Sequence, residues 1–298
     1  MARRSGRRLA ASLTILALVS LACSGRSEAP TSAVTQAPPT TTLVTALPAT
    51  EPPRSTATTA TTTPQVIDFG AGVRLPDGTG PFPAVVLVHG GGWVAGSPLA
   101  MANLAGHLTE AGFLVVNTPY QLSSSEVAGF PAAVDDVSCA VRYASSHPDS
   151  DGSVAVIGHS AGAHIGAIVA LTGDQYGSAC PFAGTGLPDR FVGLAGPYDV
   201  ERLGLVMLPF FGAGPSTLAE AWAAGNPQQL TDENPDLSAL IMHGDQDGVV
   251  ELSFAMDFHA ALVASGAESL LEIVEGANHN QLTLANVVGD LIVTWLER

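Results

Sequence analysis

The chain has 298 residues, 46% hydrophobic and 13% charged, which is too apolar for a disordered protein and too interrupted by polar residues for a many-span membrane protein. All 11 basic residues are Arg, set against 27 Asp and Glu, for a formal net charge of −16. Residues 66–298 hold five of the Arg against 25 acids, and a domain so negative repels phosphate backbones and polyanionic substrates, so nucleic acid is a poor partner.

In chain order, residues 1–23 read as a signal peptide. Arg3, Arg4, Arg7 and Arg8 precede an apolar run from Leu9 to Ala22, about 14 residues, short of the roughly 20 that a spanning helix needs. The run ends at Leu21-Ala22-Cys23. It resembles a bacterial lipoprotein signal, which implies lipidation of Cys23 and an exported, membrane-anchored protein. The alternative is an ordinary cleaved signal and simple secretion. Residues 24–65 read as a disordered linker: across 29–65 there are 13 Thr, seven Pro and seven Ala, with no aromatic and no Gly. Such a segment buries too little apolar surface to offset its ordering entropy, and its prolines keep it extended, as a tether should be.

Residues 66–298 number 233, within the range of one α/β domain. Six short apolar runs read as strands: 84–89, 113–117, 154–158, 191–195, 239–243 and 270–274. Their hydrophobicity is continuous rather than alternating, as in strands buried on both faces. Helix-like stretches lie between and after them at 99–111, 132–146, 161–171, 252–265 and 281–296, so a parallel sheet covered on both sides is expected. Residues 200–236 interrupt the alternation and read as a small helical cap over the carboxyl ends of the strands; an ordinary crossover is the alternative.

The motifs sit at strand ends. His89-Gly90-Gly91-Gly92-Trp93 closes the first run, and consecutive glycines let backbone N–H groups approach an oxyanion. Gly158-His159-Ser160-Ala161-Gly162 closes a later run and opens a small-residue helix, the Gly-x-Ser-x-Gly turn that exposes a nucleophilic Ser at a helix N-terminus. The expected oxyanion donors are the N–H groups of Gly91, Gly92 and Ala161. Asp247 and His279 each follow a later strand, giving the chain order Ser160, Asp247, His279 for nucleophile, acid and base. Asp245 is the rival acid. His243, Asp245 and Asp247 mimic a metal-ligand spacing, but no His-x-His partner occurs elsewhere, so no metal is expected.

These motifs resemble those of α/β-hydrolase carboxylesterases, of the group that includes feruloyl-esterase-like and hormone-sensitive-lipase-like enzymes. His-Gly-Gly-Gly-Trp93 resembles the feruloyl-esterase-like and arylformamidase branch, and Gly196-Pro-Tyr-Asp199 and Asn226-Pro227 resemble its cap-flanking segments. The resemblance covers roughly 66–298. It implies an α/β-hydrolase fold, mainly parallel with a small cap, and a small-molecule ester substrate. It further implies an acyl-enzyme mechanism without cofactor, with Trp93 and His159 beside the substrate. An arylformamidase or amidase, and an idle scaffold that only binds, are the alternatives. Cys139 and Cys180 fall in the same exported domain and are expected to form a disulfide.

Overall fold

A strand apolar at every position needs cover on both faces, and helices returning from a parallel sheet supply it. A computed structural model describes Phe69 and residues 72–298; the expected signal peptide, Cys23 and the 24–65 linker lie outside the described residues. The elements are β1 (Val73–Arg74), β2 (Phe82–Val88), α1 (Ala102–Glu110), β3 (Leu114–Thr118), α2 (Ala132–Ser146), β4 (Ser150–His159), α3 (Ala161–Thr172) and β5 (Arg190–Leu194). There follow α4 (Val200–Leu203), α5 (Leu208–Phe211), α6 (Ala219–Ala224), β6 (Ser238–Gly244), α7 (Leu252–Ser265), β7 (Glu268–Val274) and α8 (Asp290–Leu296). The sheet order is β1-β3-β2-β4-β5-β6-β7. Only β1 runs antiparallel, against β3; every other neighbouring pair is parallel. This is the α/β-hydrolase architecture.

The two cores divide the strands residue by residue. Ala84, Val86 and Val88 of β2 belong to one core with Val137 of α2, Ile165 of α3 and Phe258 of α7. Val85 and Leu87 belong to the other, with Leu104 and Leu108 of α1 and Ile292 and Trp295 of α8. Each such fully buried Val or Leu contributes roughly 1.5–3 kcal/mol relative to exposure. Because the strands are parallel, β2, β4, β5, β6 and β7 deliver their following loops to one edge of the sheet, where the sequence motifs lie.

Three features depart from the sequence reading. β1 is two residues long and carries no pattern to detect. The helix expected from residue 99 begins as a 3-10 turn, Pro98–Met101, with proline in its first positions. The helix expected over 281–296 is broken: a 3-10 turn at His279–Thr283 opens with a capping box between Asn278 and Gln281. The chain then extends at Leu284 and re-enters through a π turn at Ala285–Gly289 before α8. The break is fixed from outside, since Ala285 N–H donates to Asn103 Oδ1 at 2.7 Å.

Residues 200–236 form the small cap, built from α4, α5, α6 and three 3-10 turns. Its core is aromatic: Phe211 stacks on Trp222 at 4.6 Å between centroids, and Phe210 meets Trp93 at 6.0 Å and Phe130 at 5.8 Å. All three cap aromatics are buried, so they pack the cap rather than wall a substrate. Val200 N–H donates to Asn226 Oδ1 and Gln228 N–H to the Tyr198 carbonyl, joining the two cap-flanking segments. On the α2 and α3 side, Cys139 and Cys180 are disulfide-bonded, with Cα atoms 5.4 Å apart.

Candidate active site

Ser160 sits between β4 and α3 with φ 54° and ψ −121°, a region that costs a non-glycine residue on the order of 1–3 kcal/mol. Neighbouring backbone holds it there. Ser160 N–H donates to the Leu194 carbonyl at 2.8 Å, and its own carbonyl accepts from Ala163 and His164 N–H at 2.9 and 3.1 Å. The flanking glycines are demanded by contact. A Cβ on Gly158 would collide with the Gly162 carbonyl, and one on Gly162 with the carbonyl oxygens of Val88 and His89. The side chain is thereby presented at the first turn of a 12-residue helix, whose leading N–H groups lack intrahelical acceptors.

Val88 pairs with Gly158 across β2 and β4, so the glycine loop emerges beside the Ser160 turn. Gly91, Gly92 and Trp93 all have positive φ, 131°, 60° and 64°, in a turn closed by Ala95 N–H to the Gly91 carbonyl at 3.0 Å. The N–H groups of Gly91, Gly92 and Ala161 make no hydrogen bond among the described residues. His89 braces the loop: its Nδ1–H donates to the Gly90 carbonyl at 2.8 Å, and its ring stacks on Tyr120, whose hydroxyl donates to the His89 carbonyl.

Asp247 and His279 come from the ends of β6 and β7, which pair through Gly244 and Val274. His279 Nδ1 donates to Asp247 Oδ2 at 2.8 Å, which leaves its Nε2 with a free lone pair. Burial alone would raise the Asp247 carboxyl, but Val250 N–H, the His279 ring and Val249 N–H, all donating to it, hold it below its usual range. His243 Nε2–H donates to the Val250 carbonyl and stands 3.4 Å from Asp247 Oδ2; burial lowers its pKa. Asp245 turns away, accepting Gly276 N–H at 2.7 Å on an exposed surface, and so ties the two loops together. Among the described residues, no group of three or more His, Cys, Asp or Glu is placed to hold a metal ion.

Trp93 and His159, expected beside the substrate, point inward instead. Trp93 is 5% exposed and donates its indole N–H to His164 Nδ1 at 3.2 Å. His159 is also 5% exposed, and its Nε2–H donates to the His279 carbonyl at 2.9 Å. Burial, reinforced by the nearby His279, lowers the His159 pKa to about 4, so the ring is neutral and pins the His279 loop to the residue before Ser160. Trp93 is committed to a buried side chain and His159 to main chain, partners 71 and 120 positions away and invisible to local spacing. His243, whose sequence spacing mimics a metal ligand, instead supports the acid loop, and its position four residues before Asp247 is the local signal for that role.

A family model described as BD-FAE matches residues 73–262. Esterase LipC of Mycobacterium tuberculosis is 27% identical over 232 residues, covering 72% of this chain and 56% of that protein. The probable isoprenylcysteine alpha-carbonyl methylesterase ICME of Oryza sativa subsp. japonica is 27% identical over 233 residues, covering 68% and 53%. The chain thus spans about half the length of these curated relatives. Among solved structures, a truncated carbohydrate esterase from gut microbiota shares the fold with a TM-score of 0.63 at 22% identity, over 76% of this chain and 89% of that one.

Proposed function

The chain belongs to the BD-FAE family, and on that premise we propose that it is a serine hydrolase of carboxylic esters. Ser160 Oγ attacks the ester carbonyl carbon while His279 Nε2 takes its proton, and Asp247 holds the imidazole in the required tautomer and steadies the imidazolium. The oxyanion is received by the N–H groups of Gly91, Gly92 and Ala161. Collapse expels the alcohol, which leaves with the proton from His279, and Ser160 retains the acyl group. Water, deprotonated by His279, then attacks that acyl group; the acyl–oxygen bond to Ser160 breaks, Ser160 Oγ takes the proton back from His279, and the acid leaves. No step calls for a cofactor.

The observation that carries this reading is the 2.8 Å bond from His279 to a fully enclosed Asp247 carboxylate, at the same sheet edge as a strained Ser160. Keeping a carboxylate ionised in such a place is costly without function, which disfavours an idle scaffold. Ser160→Ala should abolish hydrolysis of p-nitrophenyl esters, a loss on the order of 10⁶ in kcat, and labelling by a fluorophosphonate probe, with the fold intact. Substantial labelling of the variant would place the nucleophile elsewhere.

The same proposal puts the enzyme outside the cytoplasm, anchored through lipid on Cys23 and spaced by the 24–65 linker. The Cys139–Cys180 disulfide supports it, because such bonds persist in oxidising compartments. Wild type should partition into detergent and Cys23→Ser should not; equal aqueous partitioning would remove the anchor.

A further inference from the structure

His164 lies one helical turn beyond Ser160 on α3 and is fully buried. Both ring nitrogens are engaged. The Gly225 carbonyl can only accept, so His164 Nε2 carries the proton and donates to it at 2.9 Å. Nδ1 is then a bare acceptor, and the Trp93 indole N–H, which can only donate, meets it at 3.2 Å. Burial lowers the His164 pKa to about 4, so this neutral tautomer persists around neutral pH. The Trp93 ring meets His164 edge-on at 5.5 Å.

Trp93 follows Gly92 and is itself held at φ 64°. A non-glycine residue stays in that region only where its surroundings fix it. Its carbonyl accepts from Ser123 and its ring rests against Phe210, but of these partners only His164 belongs to the helix that presents Ser160. An apolar pair would fill the same space without a buried polar cost; a directional bond adds a defined orientation.

We propose that His164 is a positioning residue. By accepting the Trp93 indole N–H it fixes the loop bearing Gly91 and Gly92 relative to Ser160, and Gly225, after the cap helix α6, selects the tautomer that makes this possible. The proposal rests on the serine-hydrolase reading of the site. Two amide variants separate the two bonds. His164→Asn keeps an acceptor near the Nδ1 position, whereas His164→Gln keeps a donor near Nε2 and loses the acceptor. On p-nitrophenyl acetate, His164→Gln and Trp93→Phe should each lower kcat at least about tenfold with little change in KM, as a misplaced oxyanion hole does. His164→Asn should retain about five times or more of the kcat of His164→Gln, and the double variant should fall no further than either single one. If Asn and Gln lower kcat equally, or if kcat merely follows melting temperature across the four proteins, His164 is only a satisfied core histidine. Should His164→Gln fail to fold, Trp93→Phe with unchanged kcat would overturn the proposal by itself. Activity surviving in Ser160→Ala would instead overturn the hydrolase reading, so the two failures are distinct.

Discussion

Asp245 and Asp247 stand two positions apart in one turn and differ in everything their carboxylates touch. Asp247 receives the His279 ring and two backbone N–H groups, while Asp245 receives Gly276 N–H at the surface. Asp247→Asn should therefore lower kcat by about 10³ or more, because the amide disturbs both tautomer and charge at His279, whereas Asp245→Asn should stay within about tenfold of wild type. Steady-state rates on one ester decide it, and the reverse ranking would make Asp245 the acid. Ser160 and its glycines were legible in the sequence because the whole Gly-x-Ser-x-Gly pattern lies within one five-residue turn, although Gly162 is demanded by the distant carbonyls of Val88 and His89. Trp93 and His159 were legible as members of the site loops but not in their orientation, which depends on His164 and on the His279 carbonyl.

At the scale of elements, the central strands read well because alternate residues of their buried stretches, such as 84–88 of β2 and 154–157 of β4, feed two different cores and are apolar throughout. β1 has two residues and no such constraint, and the last helix looked continuous because a hydrophobic pattern is blind to the Asn103 side chain that breaks it. The expected pairing of Cys139 with Cys180 is present, linking α2 to the loop beyond α3. A bond at a sequence separation of 41 removes about 4 kcal/mol of chain entropy from the unfolded ensemble in the loop-closure account. It therefore reinforces the layer that backs Ser160.

For the whole molecule, buried titratable groups set the response to acid. His159 and His164 fall to about 4 from an ordinary 6.5, chiefly through burial, and His89 and His243 shift the same way. The unfolded chain binds their protons first, so the stability they allow is lost as pH falls from about 6.5 toward 4. Asp136 opposes them. Burial, outweighing its bond from Gln121 N–H, raises its carboxyl from 3.8 to about 6, so its proton is bound more tightly in the fold, and its contribution declines as pH rises across that window. The histidines outnumber it, and melting temperature should drop between pH 6.5 and 4. Asp136→Asn should make the drop steeper; a parallel or shallower curve in calorimetry would contradict these assignments.

The Gly162 backbone lies against the carbonyls of Val88 and His89 with no room for a methyl group. The spacing between the helix that presents Ser160 and the strand that launches the glycine loop is thus set by main chain meeting main chain. Side chains around the site can then be exchanged without altering the separation of Ser160 from the glycine loop.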